Sequence, residues 1–160
     1  MIVAHPDDET IFGGGFLQEN PGTHVICMTN RTDRIRSIEF HRAMKLLDCV
    51  YSIFDLYDDA NIDLPFNQVR ARISSIVPAG AKIVTHAASG EYGHRHHLNI
   101  HAAVLSITDD FYVFGKGKRL PEAQIIKKKS VLTVYDSQVR AFPLLMDFIE
   151  NETIVKYAAK

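Results

Sequence analysis

The chain has 160 residues, of which 46% are hydrophobic and 23% charged, and its formal net charge is −1. This length suits one domain with a substantial core, and we expect a single domain over residues 1–160. The balanced charge argues against a nucleic-acid-binding protein, and no apolar run approaches the length of a membrane-spanning helix.

Three features of the composition bear on the environment of the protein. Cys27 and Cys49 lie in apolar surroundings without the spacing of a metal site, so we interpret them as buried thiols. The N-terminus has no basic and apolar signal segment, and we expect a cytoplasmic location. The lysine run at residues 127–129 is interpreted as a solvated helix or loop face.

Short apolar runs alternate with longer amphipathic stretches along the chain. The predicted strands are Ile2–Ala4, Val25–Thr29, Ser52–Leu56, Ile83–His86 and Phe111–Phe114. The predicted helices are Ile11–Glu19, Arg34–Leu47, Phe66–Val77 and His97–Ile107. This alternation is typical of βαβ units, and it predicts an α/β, Rossmann-like three-layer sandwich with a mostly parallel sheet. Residues 120–160 are predicted to be mostly helical, with Pro143 opening or kinking the last stretch.

The run Ala-His-Pro-Asp-Asp-Glu at residues 4–9 directly follows the first predicted strand. Pro6 suits the first turn of a helix, and the three acidic residues would lie near the positive end of its dipole, so the run could be only a helix start. That interpretation does not explain His5 or the glycines at residues 13–15. Three glycines cost a helix roughly 2–3 kcal/mol relative to alanine. They predict a close approach of backbone or ligand.

A second polar run, Gly-Glu-Tyr-Gly-His-Arg-His-His at residues 90–97, follows the fourth predicted strand. His94 and His97 are three residues apart and share one side of a helical turn, whereas His101 shares a face with His97 and is a competing ligand candidate. The carboxyl ends of parallel strands meet at one edge of a sheet, so we expect both runs to come together. They contain the parts of a catalytic zinc site, including imidazole and carboxylate ligands and a spare carboxylate as base.

These two runs resemble the motifs of the PIG-L/LmbE-like family of zinc-dependent N-deacetylases. The first run matches that family's first motif residue for residue, and residues 94–97 align with its second motif, usually His-Pro-Asp-His. The resemblance implies that one zinc ion is bound by His5, Asp8 and His97. It further implies that Asp7 is the base that activates water, and that His94 steadies the oxyanion or protonates the leaving amine.

Weaker similarities imply residues that bind substrate. Arg36 belongs to an Arg-x-x-Glu segment typical of the family, Tyr92 matches an active-site tyrosine of several members, and Gln138 ends a Tyr-x-Ser-Gln segment. The connection from Thr29 to Arg36 and the C-terminal part are short for the family. These regions normally build the substrate pocket.

His96 stands where the family usually has a carboxylate beside the catalytic imidazole. Since a second imidazole does not favour the charged form of His94, we expect the pKa of His94 to lie near or below its ordinary value. Alternatively, His96 points to solvent and another residue, such as Glu91 or Asp136, orients His94.

The resemblance predicts an N-deacetylase that cleaves an N-acetylated amino sugar or a similar small N-acylated conjugate. An alternative is a non-catalytic, metal-containing binding module on the same fold, for an acetamido or carboxylate ligand. A third hypothesis, a nucleotide-binding domain with residues 13–15 as a phosphate loop, fits poorly because the spacing is wrong and the acidic first turn repels phosphate. A homo-oligomer remains open, and no nucleic-acid partner is expected.

Overall fold

The computed structural model describes residues 1–158. Its strands are β1 (Ile2–Val3), β2 (His24–Thr29), β3 (Val50–Leu56), β4 (Val84–Thr85), β5 (Tyr112–Arg119) and β6 (Asn151–Lys156). Its helices are α1 (Asp8–Glu19), α2 (Arg34–Leu46), α3 (Phe66–Ile76), α4 (Gly90–Gly93), α5 (Arg95–Leu105), α6 (Glu122–Leu132) and α7 (Met146–Glu150). Within residues 1–158, no helix combines the length and apolarity that a bilayer crossing needs.

The strands pair in two groups that lie side by side. β1, β2 and β3 are parallel neighbours in that order, and β4 is parallel to β5. β6 pairs with β5 in the antiparallel direction. The Thr85 hydroxyl donates to the Ile2 carbonyl at 2.9 Å, which joins β4 to β1. The prediction of a mostly parallel sheet is confirmed.

Alternating side chains of the strands build two cores, one on each face of the sheet. Val3 and Cys27 pack on one face with residues of α1, α2 and α6. Ile2 and Ile26, which point the other way, pack with residues of α3 and α5. A strand that is apolar on both sides is typical of a parallel sheet covered by helices on both faces. The three-layer α/β architecture follows from this pattern.

The C-terminal part differs from the sequence prediction, because β6 lies within the stretch predicted to be mostly helical. Its partner strand contains Gly115 and Gly117. A Cβ atom at Gly117 would lie only 2.5 Å from the Glu152 carbonyl oxygen, so the two strands come too close for any side chain there. This strand depends on a long-range pairing, which local apolar periodicity does not reveal.

The interpretation of residues 127–129 as a solvated face is wrong for Lys128, because this side chain is fully buried. Its Nζ donates to a Glu152 carboxylate oxygen at 2.7 Å and to the Phe148 carbonyl at 3.2 Å. Glu152 in turn accepts from the backbone N–H groups of Gly15 and Phe16, at 2.9 and 2.7 Å. The ion pair therefore ties α6 and β6 to the middle of α1.

The glycines of α1 are explained by this packing. Gly13, Gly14 and Gly15 are buried inside the helix. A Cβ at Gly14 would lie 3.0 Å from the Lys128 side chain, and one at Gly13 would lie 2.5 Å from the Met1 side chain. The predicted close approach is made by neighbouring side chains, so the hypothesis of a phosphate loop is wrong.

The turn before α1 is strained. The helix begins at Asp8, so Pro6 precedes the helix instead of opening its first turn. Asp7 has φ 111° and ψ −31°, a region that favours glycine. Its N–H donates to a Glu9 oxygen at 3.1 Å, and the Tyr135 hydroxyl donates to the other Glu9 oxygen at 2.7 Å. The buried Glu9 thus holds the turn in a conformation that aspartate rarely adopts.

Replacement of Lys128 by methionine should lower the free energy of unfolding by about 3–5 kcal/mol, because it leaves the buried Glu152 carboxylate without a counter-charge. Lys129→Met is the matched control, since Lys129 pairs with Glu150 at 2.6 Å on the surface and its loss should have a much smaller effect. Urea denaturation of both variants measures the difference. Equal losses would contradict the structural role of Lys128.

Two substitutions at Asp7 separate backbone strain from the loss of its carboxylate. Asp7→Gly and Asp7→Ala both remove the carboxylate, but only alanine keeps the Cβ that disfavours positive φ. We expect the glycine variant to be more stable than the alanine variant by about 1–2 kcal/mol. Thermal and urea unfolding measure both, and an alanine variant as stable as the glycine variant would show that the turn stores no strain.

Candidate active site

Both polar runs lie at the edge of the sheet where β1 and β4 end. They meet at a pocket of about 160 Å³. The predicted site residues that line it are His5, Asp7, Asp8, Arg36, Tyr92, His94 and Gln138. His97, the remaining predicted site residue, is fully buried behind Asp8. The structure therefore brings the predicted residues of both runs to one place.

Asp8 lies between two imidazole rings. Its Oδ2 is 3.2 Å from Nδ1 of His5, and its Oδ1 is 3.3 Å from Nε2 of His97. Two ligand atoms on a tetrahedral zinc ion, each about 2.0–2.1 Å from the metal, lie about 3.3 Å apart. His5, Asp8 and His97 form one of the groups in residues 1–158 whose ligand-type atoms all lie within 4.8 Å of one another. The spacing of this trio fits neighbouring zinc ligands.

A buried carboxylate orients the His97 ring. His97 Nδ1 lies 2.6 Å from Glu91 Oε2, so it carries the hydrogen and donates it. His97 Nε2 is buried and forms no hydrogen bond of proper geometry, although Asp8 Oδ1 lies 3.3 Å from it. A metal-ligating histidine usually donates its other ring N–H to a carboxylate in this way. His97 Nε2 is therefore available as a metal-ligating atom. Together with the ligand atoms of His5 and Asp8, it gives a set of side chains that fits a zinc ion.

Glu91 also holds His86, which the sequence analysis did not identify. His86 Nδ1 lies 2.9 Å from the same Glu91 oxygen, and its Nε2 accepts the N–H of Ala4 at 3.1 Å. The His86 and His97 rings stack with centroids 3.8 Å apart. His86 follows β4 directly, so the rule that functional groups gather at the carboxyl ends of strands could have indicated it.

The competing ligand candidate His101 lies outside the trio. Its Nδ1 lies 2.9 Å from the His86 carbonyl oxygen, and its ring packs against Phe111 and Tyr157. It belongs to none of the three ligand-type groups found in residues 1–158. His101 is therefore less suited than His97 to hold the metal.

His96 does not point to solvent, so the alternative placement considered for it is wrong. Its side chain is fully buried. Its Nε2 faces the carbonyl oxygens of Asp59 and Ile62, and its Nδ1 faces His5. Glu91, suggested as a partner for His94, instead bonds His86 and His97.

Arg36 holds the strained turn together. One terminal nitrogen donates to the Pro6 carbonyl at 2.8 Å and lies 3.8 Å from Asp7 Oδ1. The other donates to Asp58 Oδ2 at 3.1 Å. Asp58, also absent from the sequence prediction, follows β3 and lines the pocket. Both terminal nitrogens of Arg36 thus contact protein, although its side chain borders the pocket.

Charges in this cluster shift the pKa values strongly. Burial lowers the pKa of His97, but the carboxylates of Asp8 and Glu91 outweigh it and raise the value to about 10. Burial likewise opposes the charged form of His5, yet the neighbouring carboxylates of Asp58 and Asp8 raise its pKa to about 9. Burial and the adjacent Asp8 charge raise the pKa of Asp7 well above its ordinary range, against the pull of Arg36. The cluster thus favours positive charge on the two imidazoles beside Asp8 and favours the protonated form of Asp7.

His94 has a different environment from the other imidazoles. Burial and the neighbouring His5 and His97 lower its pKa to about 4. Its Nδ1 accepts the backbone N–H of His96 at 3.3 Å and caps α5. A neutral His94 ring with Nδ1 as acceptor carries its hydrogen on Nε2.

Tyr92 and Gln138 lie at the rim of the pocket. Tyr92 is 53% exposed and packs edge-on against His94. Gln138 ends a 3-10 turn (Asp136–Gln138), whose Ser137 donates through its N–H and hydroxyl to Glu39 at 2.9 and 2.6 Å. Glu39 is the last residue of the Arg-x-x-Glu segment. That segment therefore anchors the turn that brings Gln138 to the site.

Comparison with known proteins finds one relative that is similar in sequence and several solved structures that are similar in fold. The chain is 31% identical over 173 residues to the uncharacterized protein L374 of Acanthamoeba polyphaga mimivirus, which covers 96% of this chain and 77% of the relative. The fold of the present chain is similar to that of N,N'-diacetylchitobiose deacetylase from Pyrococcus horikoshii (TM-score 0.69, 17% identity). The match covers 96% of this chain and 82% of the deacetylase. The fold is also similar to that of the 4-carboxy-2-hydroxymuconate hydratase GalB from Pseudomonas putida KT2440 (TM-score 0.66, 13% identity, 99% of this chain and 95% of the hydratase).

The two enzymes with known reactions carry out different chemistry on this fold, so fold likeness alone does not assign a reaction. The family model supplies the stronger assignment. The model described as PIG-L, GlcNAc-PI de-N-acetylase, matches residues 1–108, which include both polar runs. The chain is therefore a member of the PIG-L family of de-N-acetylases.

Proposed function

We propose that this protein is a zinc-dependent N-deacetylase that cleaves the N-acetyl group of an amino sugar or a similar small conjugate. The observation that carries the proposal is Asp8 held between His5 and His97, with the free carboxylate of Asp7 beside it. When bound by this trio, zinc would polarise the substrate carbonyl and lower the pKa of a bound water molecule to about 7. The family membership supports a reaction of the N-deacetylase type.

Asp7 is proposed as the general base. Its carboxyl group lines the pocket next to a proposed ligand, and the strained backbone of the turn aims it there. A base works best when its pKa lies near the working pH, and burial raises the pKa of Asp7 from a low value toward that range. Asp7 would take a proton from the attacking water and return it to the departing amine.

His94 is proposed to stabilise the oxyanion as a neutral hydrogen-bond donor. The lowered pKa leaves the ring neutral at pH 7. Its Nδ1 is used by the helix cap, so Nε2–H is the group available to a developing negative charge. One such donor contributes about 2.7–4 kcal/mol of transition-state stabilisation. In this role His94 needs no neighbouring carboxylate, which is consistent with histidine at position 96.

The rim residues are proposed to bind the rest of the substrate. The pocket is small, at about 160 Å³, so it suits an acetamido group better than a whole sugar ring. Tyr92 and Gln138 offer polar and aromatic contacts at its mouth, and Arg36 borders it from the side of Asp7. A sugar or other amine carrier would therefore lie mostly outside the pocket, against these three side chains.

The metal assignment predicts about one zinc ion per chain. Asp8→Ala and His97→Ala should lose it, because each removes one of three protein ligands. His101→Ala is the matched control, since it removes a nearby buried imidazole outside the trio and should keep full zinc. Metal analysis after dialysis measures all three. Zinc retained by His97→Ala and lost by His101→Ala would reverse the ligand assignment.

The catalytic assignment is tested by acetate release from a panel of N-acetylated sugars, with and without added zinc. On a substrate that the parent protein cleaves, Asp7→Asn should keep zinc and lose about 10²–10⁴-fold in kcat, as expected for a missing general base. Near-normal turnover by Asp7→Asn would eliminate this role. If the parent protein binds such sugars without releasing acetate, the chain is the non-catalytic binding module instead.

A further inference from the structure

His96 is a buried side chain whose two ring nitrogens both have partners. Nε2 lies 3.1 Å from the Asp59 carbonyl oxygen and 2.9 Å from the Ile62 carbonyl oxygen. Carbonyl oxygens only accept hydrogen bonds, so Nε2 carries a hydrogen and donates it. The loop after β3, which supplies both carbonyls, therefore sets the tautomer of His96. A neutral ring protonated at Nε2 presents a lone pair at Nδ1.

That lone pair faces the first proposed metal ligand. His96 Nδ1 lies 2.8 Å from His5 Nε2. Since His96 Nδ1 accepts, His5 Nε2 must carry the hydrogen. In the neutral His5 ring that metal binding requires, the lone pair is then on Nδ1, the atom that lies 3.2 Å from Asp8 Oδ2. One chain of hydrogen bonds thus runs from two backbone carbonyls through His96 to His5.

We infer that His96 is a positioning residue that holds His5 in the Nε2–H tautomer and so makes Nδ1 its metal-ligating atom. This inference rests on the metal centre of the proposed function. It assigns to His96 the part that Glu91 plays for His97, in which a buried acceptor binds the outer N–H of a ligand. His96 acts on His5 through its side chain, whereas it meets His94 through its backbone N–H.

Asp58 is the competing acceptor for the same N–H, and the contacts favour His96. Asp58 Oδ1 lies 3.3 Å from His5 Nε2, against 2.8 Å for His96. The other Asp58 oxygen already accepts from Arg36 and Asn30, at 3.1 and 2.8 Å. The Asp58 side chain is 26% exposed, whereas that of His96 is fully buried. The contact of His5 Nε2 with His96 is therefore the shorter of the two and the less exposed to solvent.

Two variants of His96 separate its two hydrogen bonds. His96→Asn places an amide oxygen near the position of Nδ1 and keeps an acceptor for His5, but it loses the donor to the carbonyls. His96→Gln places an amide nitrogen near the position of Nε2 and keeps that donor, but it loses the acceptor. A purely structural role in tying down the loop predicts more damage in the asparagine variant. The positioning role predicts more damage in the glutamine variant.

The readouts are zinc affinity, measured by competition with a chelator, and the ¹⁵N ring shifts of His5 in the zinc-loaded parent protein. We expect His96→Gln to bind zinc about 10–100-fold more weakly than the parent, as is typical when the partner of a ligand is lost. His96→Asn should stay within about threefold, and so should Asp58→Asn. The NMR spectrum should show the hydrogen of His5 on Nε2.

Three results would overturn the inference while leaving the metal centre intact. They are unchanged zinc affinity in His96→Gln, a greater loss in His96→Asn or Asp58→Asn than in His96→Gln, and a His5 hydrogen on Nδ1. If His96→Gln fails to fold, the ring tautomer of His5 in the parent protein decides alone. A parent protein that binds no zinc would overturn the proposed function itself, and the inference with it.

Discussion

The buried carboxylate of Asp8 is the constraint on which the rest of the site depends. A carboxylate removed from water is costly unless positive charge or hydrogen-bond donors compensate it. Here the compensation comes from the backbone N–H of His5, which donates to Asp8 at 2.8 Å, and from two imidazoles, those of His5 just after β1 and His97 at the start of α5. Both raised imidazole pKa values express this demand for positive charge. A divalent cation meets the same demand, and the proposed zinc centre is the form of the site in which metal replaces these protons.

An outer layer of buried groups fixes the direction of each imidazole. Glu91 holds His97, and its own backbone has the positive φ of 58°. Arg36 and Glu9 clamp the turn that carries Asp7. The side chains of Glu91, Arg36 and Glu9 are largely removed from water and all carry ionisable groups, so each must be satisfied by another group. Strain at Asp7 and Glu91 persists because the surrounding bonds over-determine both turns. The geometry of the site is therefore set before any substrate arrives.

Sequence reasoning located the site because two local signals coincided. Apolar runs marked where β1 and β4 end, and the polar residues just after them could be expected to meet at one edge of the sheet. His86 and Asp58 obey the same rule and were missed because neither belongs to the two runs that resemble the family motifs. The direction of His96 was beyond this reasoning, since it depends on carbonyls of the loop after β3. β6 and the burial of Lys128 were missed for a similar reason, as both depend on contacts distant in sequence.

The residues after position 108, which lie outside the family match, hold in place the helix that carries part of the site. The family model matches residues 1–108, but α1 is held by residues well beyond them. Glu152 accepts two N–H groups in the middle of α1 and pairs with Lys128, while Tyr135 donates to Glu9 in its first turn. Gly14 lacks a side chain where the Lys128 stem packs. Because α1 begins at Asp8, a shift of this helix would move a proposed ligand, so the C-terminal segment acts on the site through the position of one helix.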